Sequence, residues 1–490
     1  MLSVRRRIAD IARAAPDRSA LIGFDAGLAE QVLSWRECAD RVAEAADALW
    51  AAPDRGTSCA VVPAGNTLPA ALGIMAALAA EVPVFPLNPS APPTERSALF
   101  RLLGRRFSSG YLIDEHLVAH RTEWSAEAEP PTGVGAGAVA YLLATGASTG
   151  IPKISGRPGT LRYDPDSTPS SVIRQTGWRA EQRQLIVGPL YHAAPFTAFL
   201  DAVLDGNTVV LQPFFAPRWT AELVRRYAIE WLQLTPTHMR EILWLPELDP
   251  ADFASVRTLL HTAARCDPET KRGWLDLLGP QRVYELYGAT EGIGVTLVRG
   301  DEWLARPGTV GRGFFTRIRI QDDAGNPLPP GAVGTVYLRT PQRVGRADYL
   351  EGQAIRTTPD GFATVGDRGR LDSDGYLYLE PRDQDTINVG GEKVDPDEVE
   401  AALREHPAVL DVVAVAVPHP SLGSVVGVHV VLHPGASVRK AELAAHCGRR
   451  LAGYKIPKQF TFTDRIPRSA AGKIQRWRLA PSHENGVTAR

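Results

Sequence analysis

The chain of 490 residues is poor in sulfur and has no dominant charge. Its four cysteines, Cys38, Cys59, Cys266 and Cys447, are widely scattered and form no Cys-x-x-Cys pair. That argues against a zinc site or a disulfide framework and fits a reducing cytoplasm. Lys and Arg number 54 against 55 Asp and Glu, a net charge of −1. No global field therefore favours nucleic acid or an anionic membrane as partner. Long apolar runs are missing too. The longest, Leu68 to Ala80, contains Pro69 and Gly73 and is shorter than the ~20 residues a membrane span needs. Arg5-Arg6-Arg7 is followed by no apolar core or cleavage site, and Ile8, Ile11 and Ala12 share one helical face. An amphipathic first helix is expected there rather than a targeting signal.

Several catalytic signatures are also absent. There is no Gly-x-Ser-x-Gly elbow. His116-x-x-x-His120 carries Leu117 where a zinc protease needs Glu, and Gly133-x-Gly135-x-x-Ala138 precedes an apolar run instead of following one. Counting a Walker loop from Gly146 puts Ile151 at the second Gly.

What is present is an α/β pattern. The length suits two to four domains, and helix-like and strand-like segments alternate over the first three quarters. Ser34 with Glu37 reads as a capping box opening a helix that runs to Trp50. Gln184 to Val187 and Thr208 to Leu211 read as short buried strands, and Trp219 to Tyr227 as an amphipathic helix before a strand at Glu230 to Leu234. Thr309 to Gln321 and Gly334 to Thr340 alternate as strands of a smaller β-rich subdomain. Composition changes near Glu380. A Gly390-Gly391 turn, a helix from Pro396 to Glu405, strands Val409 to Val417 and Val425 to Leu432, and a helix Lys440 to Leu451 follow. They read as a separate α+β module.

The chemistry begins at Ala144-Thr145-Gly146-Ala147-Ser148-Thr149-Gly150-Ile151-Pro152-Lys153, after the apolar run Val139 to Leu143. Small residues let backbone approach a ligand, and successive N–H groups with hydroxyls cradle phosphate oxygens. A Gly/Ser-rich surface turn is the plain alternative. Further on come Tyr287-Gly288-Ala289-Thr290-Glu291, Thr364-Val365-Gly366-Asp367, Arg382 and Pro467-Arg468-Ser469-Ala470-Ala471-Gly472-Lys473. A hydroxyl beside a carboxylate suits a phosphate and a Mg²⁺ ion, although a lone Thr-Glu pair is more often a helix cap.

Taken in this order, the motifs resemble those of the adenylate-forming superfamily, which includes acyl- and aryl-CoA ligases and ATP-dependent amide synthetases. Leu190-Tyr191-His192-Ala193-Ala194-Pro195-Phe196 is similar to the acyl-pocket motif of its bile-acid and steroid CoA-ligase branch, with Ala193 in place of Asn. The resemblance implies an α/β fold. A large N-terminal domain of two βαβ-type subdomains plus a β-barrel-like subdomain would span 1–381. A hinge at 382–385, a small mobile α+β domain at 386–480 and a tail at 481–490 would follow.

The resemblance also implies roles. Thr145, Gly146, Ser148, Thr149, Gly150 and Lys153 would cradle ATP. Ala263, Ala264, Tyr287 and Gly288 would line its pocket. Thr290 would meet the α-phosphate, Glu291 would hold Mg²⁺, and Asp367 with Arg382 would hold the ribose. Lys473 would bridge the anions during adenylation, and His192 would stand at the acyl pocket. Gln384 takes the hinge position, where the family usually has Asp or Lys. Rotation there would bring the Gly390-Gly391 turn over the site as an acceptor tunnel.

The acceptor is CoA thiol or, alternatively, an amine, for which Asp201 is a candidate base. A non-catalytic nucleotide-binding relative is the third reading. Small residues at Ala193, Ala194, Ala263 and Ala264 leave room for a bulky or aromatic acid. A cytoplasmic protein, monomeric or homodimeric, is expected.

Overall fold

The protein is described from a computed structural model. Its described residues are all but 53, 55–56, 123, 125–138, 146–152, 341–347, 350–354, 381–385, 391, 469–473 and 480–490. Two compact units result. One holds Met1–Val365 with Gly369–Tyr378, the other Gly366–Arg368 with Leu379–Arg490.

The first unit is built on two large sheets. In the nine-stranded sheet six neighbours run parallel, in the order Val283–Gly288, Thr258–His261, Trp231–Leu234, Arg183–Ile186, Thr208–Leu211, Ser19–Phe24. The seven-stranded sheet has a parallel centre in the order Val139–Thr145, Val84–Leu87, Ser58–Pro63, Ser109–Ile113. Strands such as Thr208–Leu211 and Val84–Leu87 are nearly all apolar and buried at every position because they are covered on both faces. Alternate residues go to different cores. Ala60 and Val62 join one cluster, Cys59 and Val61 another. Ile186 and Leu185 divide in the same way.

The central cluster lies between the two sheets and contains the helices Leu68–Ala79 and Ala193–Leu204. The long apolar run thus becomes a helix buried on nearly every side, which is why it shows no amphipathic pattern. No helix among the described residues is long and apolar enough to cross a membrane.

Local signals are realised closely. Helix Trp35–Trp50 begins with the reciprocal Ser34–Glu37 capping box. Val4–Ala14 buries Val4, Ile8 and Ile11. The amphipathic helix is Pro217–Arg226, and its following strand starts at Trp231. The β-rich region forms a six-stranded sheet that includes Arg317–Gln321 and Gly334–Arg339.

In the second unit, helices Pro396–Arg404 and Lys440–Gly448 pack with a five-stranded sheet whose long pair is Val409–His419 and Gly423–Leu432. The helix expected to reach Leu451 stops at Gly448. Arg450 and Leu451 donate their N–H groups to the Cys447 carbonyl in a closing turn.

Candidate functional site

Strand order marks a candidate site. From Arg183–Ile186 the chain passes to Thr208–Leu211 on one side, then to Trp231–Leu234 on the other. From Ser58–Pro63 it passes to Val84–Leu87, then to Ser109–Ile113 on the opposite side. Such reversals open a crevice beyond the C-terminal strand ends, where open α/β sheets bind ligands.

The two reversals meet at Asn66, which follows Ser58–Pro63 and is 2% exposed. Its Nδ2 lies 3.0–3.3 Å from the carbonyls of Ile186, Val187, Gly188 and Gln212. Its Oδ1 accepts the Leu190 N–H at 3.0 Å. One amide therefore joins the ends of both sheets and holds the loop that leads to His192. Sequence reading missed Asn66, since its nearest partner in the chain lies 120 residues away.

His192 is the N-cap residue of helix Ala193–Leu204, half-buried, with its ring 4.7 Å from that of Tyr191. Gly188 is required beneath it, because a Cβ there would lie 2.7 Å from Pro195 Cγ. Burial, reinforced by Glu95, pushes the Tyr191 hydroxyl up to about 12.

Asp201 sits nine residues beyond His192, about 13 Å along the helix axis. The fold does not bring it to His192. It is instead close to Asp205, Arg157 and Arg174. Burial first, then Asp205, raises its carboxyl to about 7, while the two arginines oppose the rise.

The next two motifs leave neighbouring strands. Beyond Thr258–His261, Ala263 and Ala264 are exposed, and Ala263 takes the left-handed conformation at φ 79°. A residue with a Cβ is strained there, a condition that collects at ligand-facing segments. Beyond Val283–Gly288 the chain turns and returns as Val295–Arg299, pairing Gly288 with Val295. Tyr287 is half-buried and Thr290 exposed at this turn, while Glu291 is 8% exposed. Gly294 is needed at its close, since a Cβ would lie 2.5 Å from Thr316 Cγ2. His192, Ala263, Ala264, Thr290 and Glu291 thus follow C-terminal ends of parallel strands in one sheet, and Tyr287 is the penultimate residue of one of them.

The small-residue loop belongs to the other sheet. Strands Val139–Thr145 and Lys153–Pro158 pair antiparallel with Thr145 opposite Lys153, so the loop joins two neighbouring strands. Gly146, Ser148, Thr149 and Gly150 lie outside the described residues, as do Arg382, Gln384, Gly391 and Lys473. Asp367 follows Gly366, whose φ of 90° favours glycine, and precedes strand Arg368–Leu371.

In the second unit Val389 faces Glu392 across a hairpin with Gly390 at φ 60°. Residues on either side of positions 469–473 are paired with one another. Arg468 bridges to Ile474, and the Gln475 N–H donates to the Pro467 carbonyl at 2.9 Å. Arg468 donates to Asp411 at 2.6 Å. Arg476 reaches Glu400 at 2.8 Å and Asp397 at 3.3 Å. Glu400 is 1% exposed, and Arg404 donates to it at 2.7 Å. The Ala414 N–H donates to it as well. Sequence reading assigned no role to these pairs, because their carboxylates come from distant strands and helices.

Residues 8–346 match the profile of the AMP-binding enzyme family, and residues 398–473 that of the AMP-binding enzyme C-terminal domain. Feruloyl-CoA synthase of an Amycolatopsis species is 33% identical over 360 residues, 71% of this chain and 71% of that protein. Sulfoacetate–CoA ligase of Cupriavidus necator is 33% identical over 350 residues, covering 70% and 67%. The o-succinylbenzoate CoA synthetase of Bacillus subtilis, solved with its acyl-adenylate OSB-AMP, superposes with a TM-score of 0.75 at 25% identity, covering 96% and 97% of the two chains. Amide bond synthetase McbA of Marinactinospora thermotolerans shares the fold, with a TM-score of 0.73 at 22% identity over 97% and 99%.

Proposed function

We infer, for a chain that belongs to the AMP-binding enzyme family, an AMP-forming ligase reaction in two steps. In the first, a carboxylate oxygen attacks the α-phosphorus of ATP. A new P–O bond forms, the α–β bridging bond breaks, and pyrophosphate leaves. In the second, the thiol sulfur of CoA attacks the acyl carbon, AMP departs, and the thiol proton passes to solvent. The observation that carries this reading is the pair of reversals joined at Asn66, with the motif segments leaving the adjoining strand ends.

The residue roles proposed are those the motif resemblance implies. Thr145 and Lys153 begin and end the phosphate loop, with Gly146, Ser148, Thr149 and Gly150 between them. Ala263, Ala264, Tyr287 and Gly288 line the nucleotide side, and the Thr290 hydroxyl donates to the α-phosphate. Glu291 at its turn offers a single carboxylate, a donor set that fits Mg²⁺ completed by phosphate and water. Mg²⁺ held there would neutralise phosphate charge. Asp367 accepts the ribose hydroxyls beside Arg382. Lys473 brings the carboxylate and phosphate together and follows charge onto pyrophosphate. Rotation at Gln384, between the domains proposed at 1–381 and 386–480, then replaces Lys473 with the Gly390-Gly391 turn.

CoA is the acceptor this reading prefers. Its curated relatives include feruloyl-CoA synthase and sulfoacetate–CoA ligase. The amine route needs a base, and Asp201, its candidate, stands well away from His192. The acid is bulky or aromatic, in keeping with the small residues at Ala193, Ala194, Ala263 and Ala264. Mass spectrometry of products from a panel of aromatic and aliphatic acids, with ATP and either CoA or mixed amines, tests it. Amides without thioesters would reverse the choice of acceptor, and no pyrophosphate with any acid would remove the ligase reading.

A further inference from the structure

Lys271 lies in helix Pro268–Leu278 and is fully buried at 0% exposed. Its Nζ is 2.5 Å from His261 Nε2 and 3.0 Å from Glu285 Oε2. The same atom lies 5.7 Å from the centre of the Trp303 ring. An ammonium has three N–H donors, and an imidazole nitrogen, a carboxylate and an aromatic face surround this one. His261 is itself 0% exposed and stays neutral, held well below its ordinary value by burial first and by Lys271 second. Since Nε2 accepts from Lys271, the ring proton is on Nδ1, which meets no acceptor among the described residues.

The position of this cluster is specific. His261 and Glu285 are register partners on neighbouring parallel strands. His261 is the last residue of its strand, two before the strained Ala263. Glu285 is two residues before Tyr287 and six before Glu291. Lys271 therefore ties the two strands where both are about to leave the sheet as ligand-facing segments. A Met or Leu would fill this space without desolvating two charges, and such replacements are often neutral or stabilising. What an apolar side chain cannot supply is direction. Hydrogen bonds from one ammonium fix both strand ends at a set distance and angle.

We propose that Lys271 is a positioning residue for nucleotide binding, setting the spacing between the Ala263-Ala264 segment and the Tyr287–Glu291 segment. This role rests on the ligase reading, which puts a nucleotide between those segments. The test uses the full chain with Lys271→Met and Glu285→Gln combined, so that no unpaired buried charge remains. Calorimetry gives the dissociation constants for ATP and AMP, pyrophosphate exchange gives KM for ATP, and urea unfolding gives stability. The expected result is a near-normal unfolding midpoint with nucleotide affinity weakened roughly tenfold, the size of one misplaced hydrogen bond. Wild-type affinity in the double variant overturns the proposal. If that variant does not fold, His261→Leu keeps the Lys271–Glu285 pair while freeing one strand. It should show the same weakening, and unchanged affinity there also overturns the role. A wild-type protein that binds neither ATP nor AMP would overturn the ligase reading itself.

Discussion

Replacing Asn66 should separate the two sheets where the site is built. Its amide can donate two hydrogens and accept at its oxygen. It is surrounded by four carbonyls at 3.0–3.3 Å and the Leu190 N–H at 3.0 Å. Three hydrogen bonds can thus be made at once, each contributing about 1 kcal/mol net, so Asn66→Ala should cost about 3 kcal/mol. That is a large share of the roughly 5–15 kcal/mol that holds a domain together.

Asn66→Asp is the sharper variant, nearly the same shape with the donor removed. A carboxylate would then face four carbonyl oxygens, which must raise its pKa above the usual ~3.9. An acid with a raised folded pKa binds more protons when folded, so its penalty is smallest below about pH 4. The penalty grows by about 1.4 kcal/mol per unit as pH rises toward the folded pKa. Urea unfolding of wild type, Asn66→Ala and Asn66→Asp between acid and neutral pH measures this. Asn66→Asp should be the least stable of the three at neutral pH and should recover toward acid relative to wild type. An Asp variant matching wild type at neutral pH, or an Ala variant losing well under about 1 kcal/mol, would show that the amide is not the link described here.

Three further outcomes are expected. Lys473→Ala should nearly abolish pyrophosphate release while sparing thioester formation from supplied acyl-AMP; equal loss of both steps would remove its assigned role. Arg476→Ala leaves buried Glu400 with Arg404 and the Ala414 N–H as its remaining donors among the described residues, and should slow adenylation more than transfer because it removes an ion pair three residues beyond position 473. A variant that only lowers the unfolding midpoint would count against that reading. Asp201→Asn should leave turnover unchanged, and should stabilise above pH 7, where wild type must carry a charge that burial disfavours. Because the folded pKa is raised to about 7, that part of the stability is fullest below the unfolded value and fades as pH climbs toward 7. A large fall in turnover would return Asp201 to the chemistry.

The local elements were legible because their causes are local. The Ser34–Glu37 box, the Ile8 and Ile11 stripe and the apolar strand runs each follow from a few adjacent residues. Motif segments were legible for the same reason, as short patterns in a fixed order. Asp201 shows the limit. It is on the helix that His192 caps, but sequence spacing gave no direction, and a rise of about 1.5 Å per residue carries it along the axis away from His192.

The sequence by itself determined the family, the order of the motif segments and the residue types each of them carries. These are properties of contiguous stretches, and contiguity survives without a fold. Only the tertiary structure decided that Asn66 clamps carbonyls more than a hundred residues away, that Lys271 ties His261 to Glu285, and that Arg468 and Arg476 pair with Asp411 and Glu400. Each of these depends on a buried polar group finding a partner from another element. Burial makes an unpaired donor or charge costly, yet the sequence carries no mark of which distant carbonyl or carboxylate will meet it.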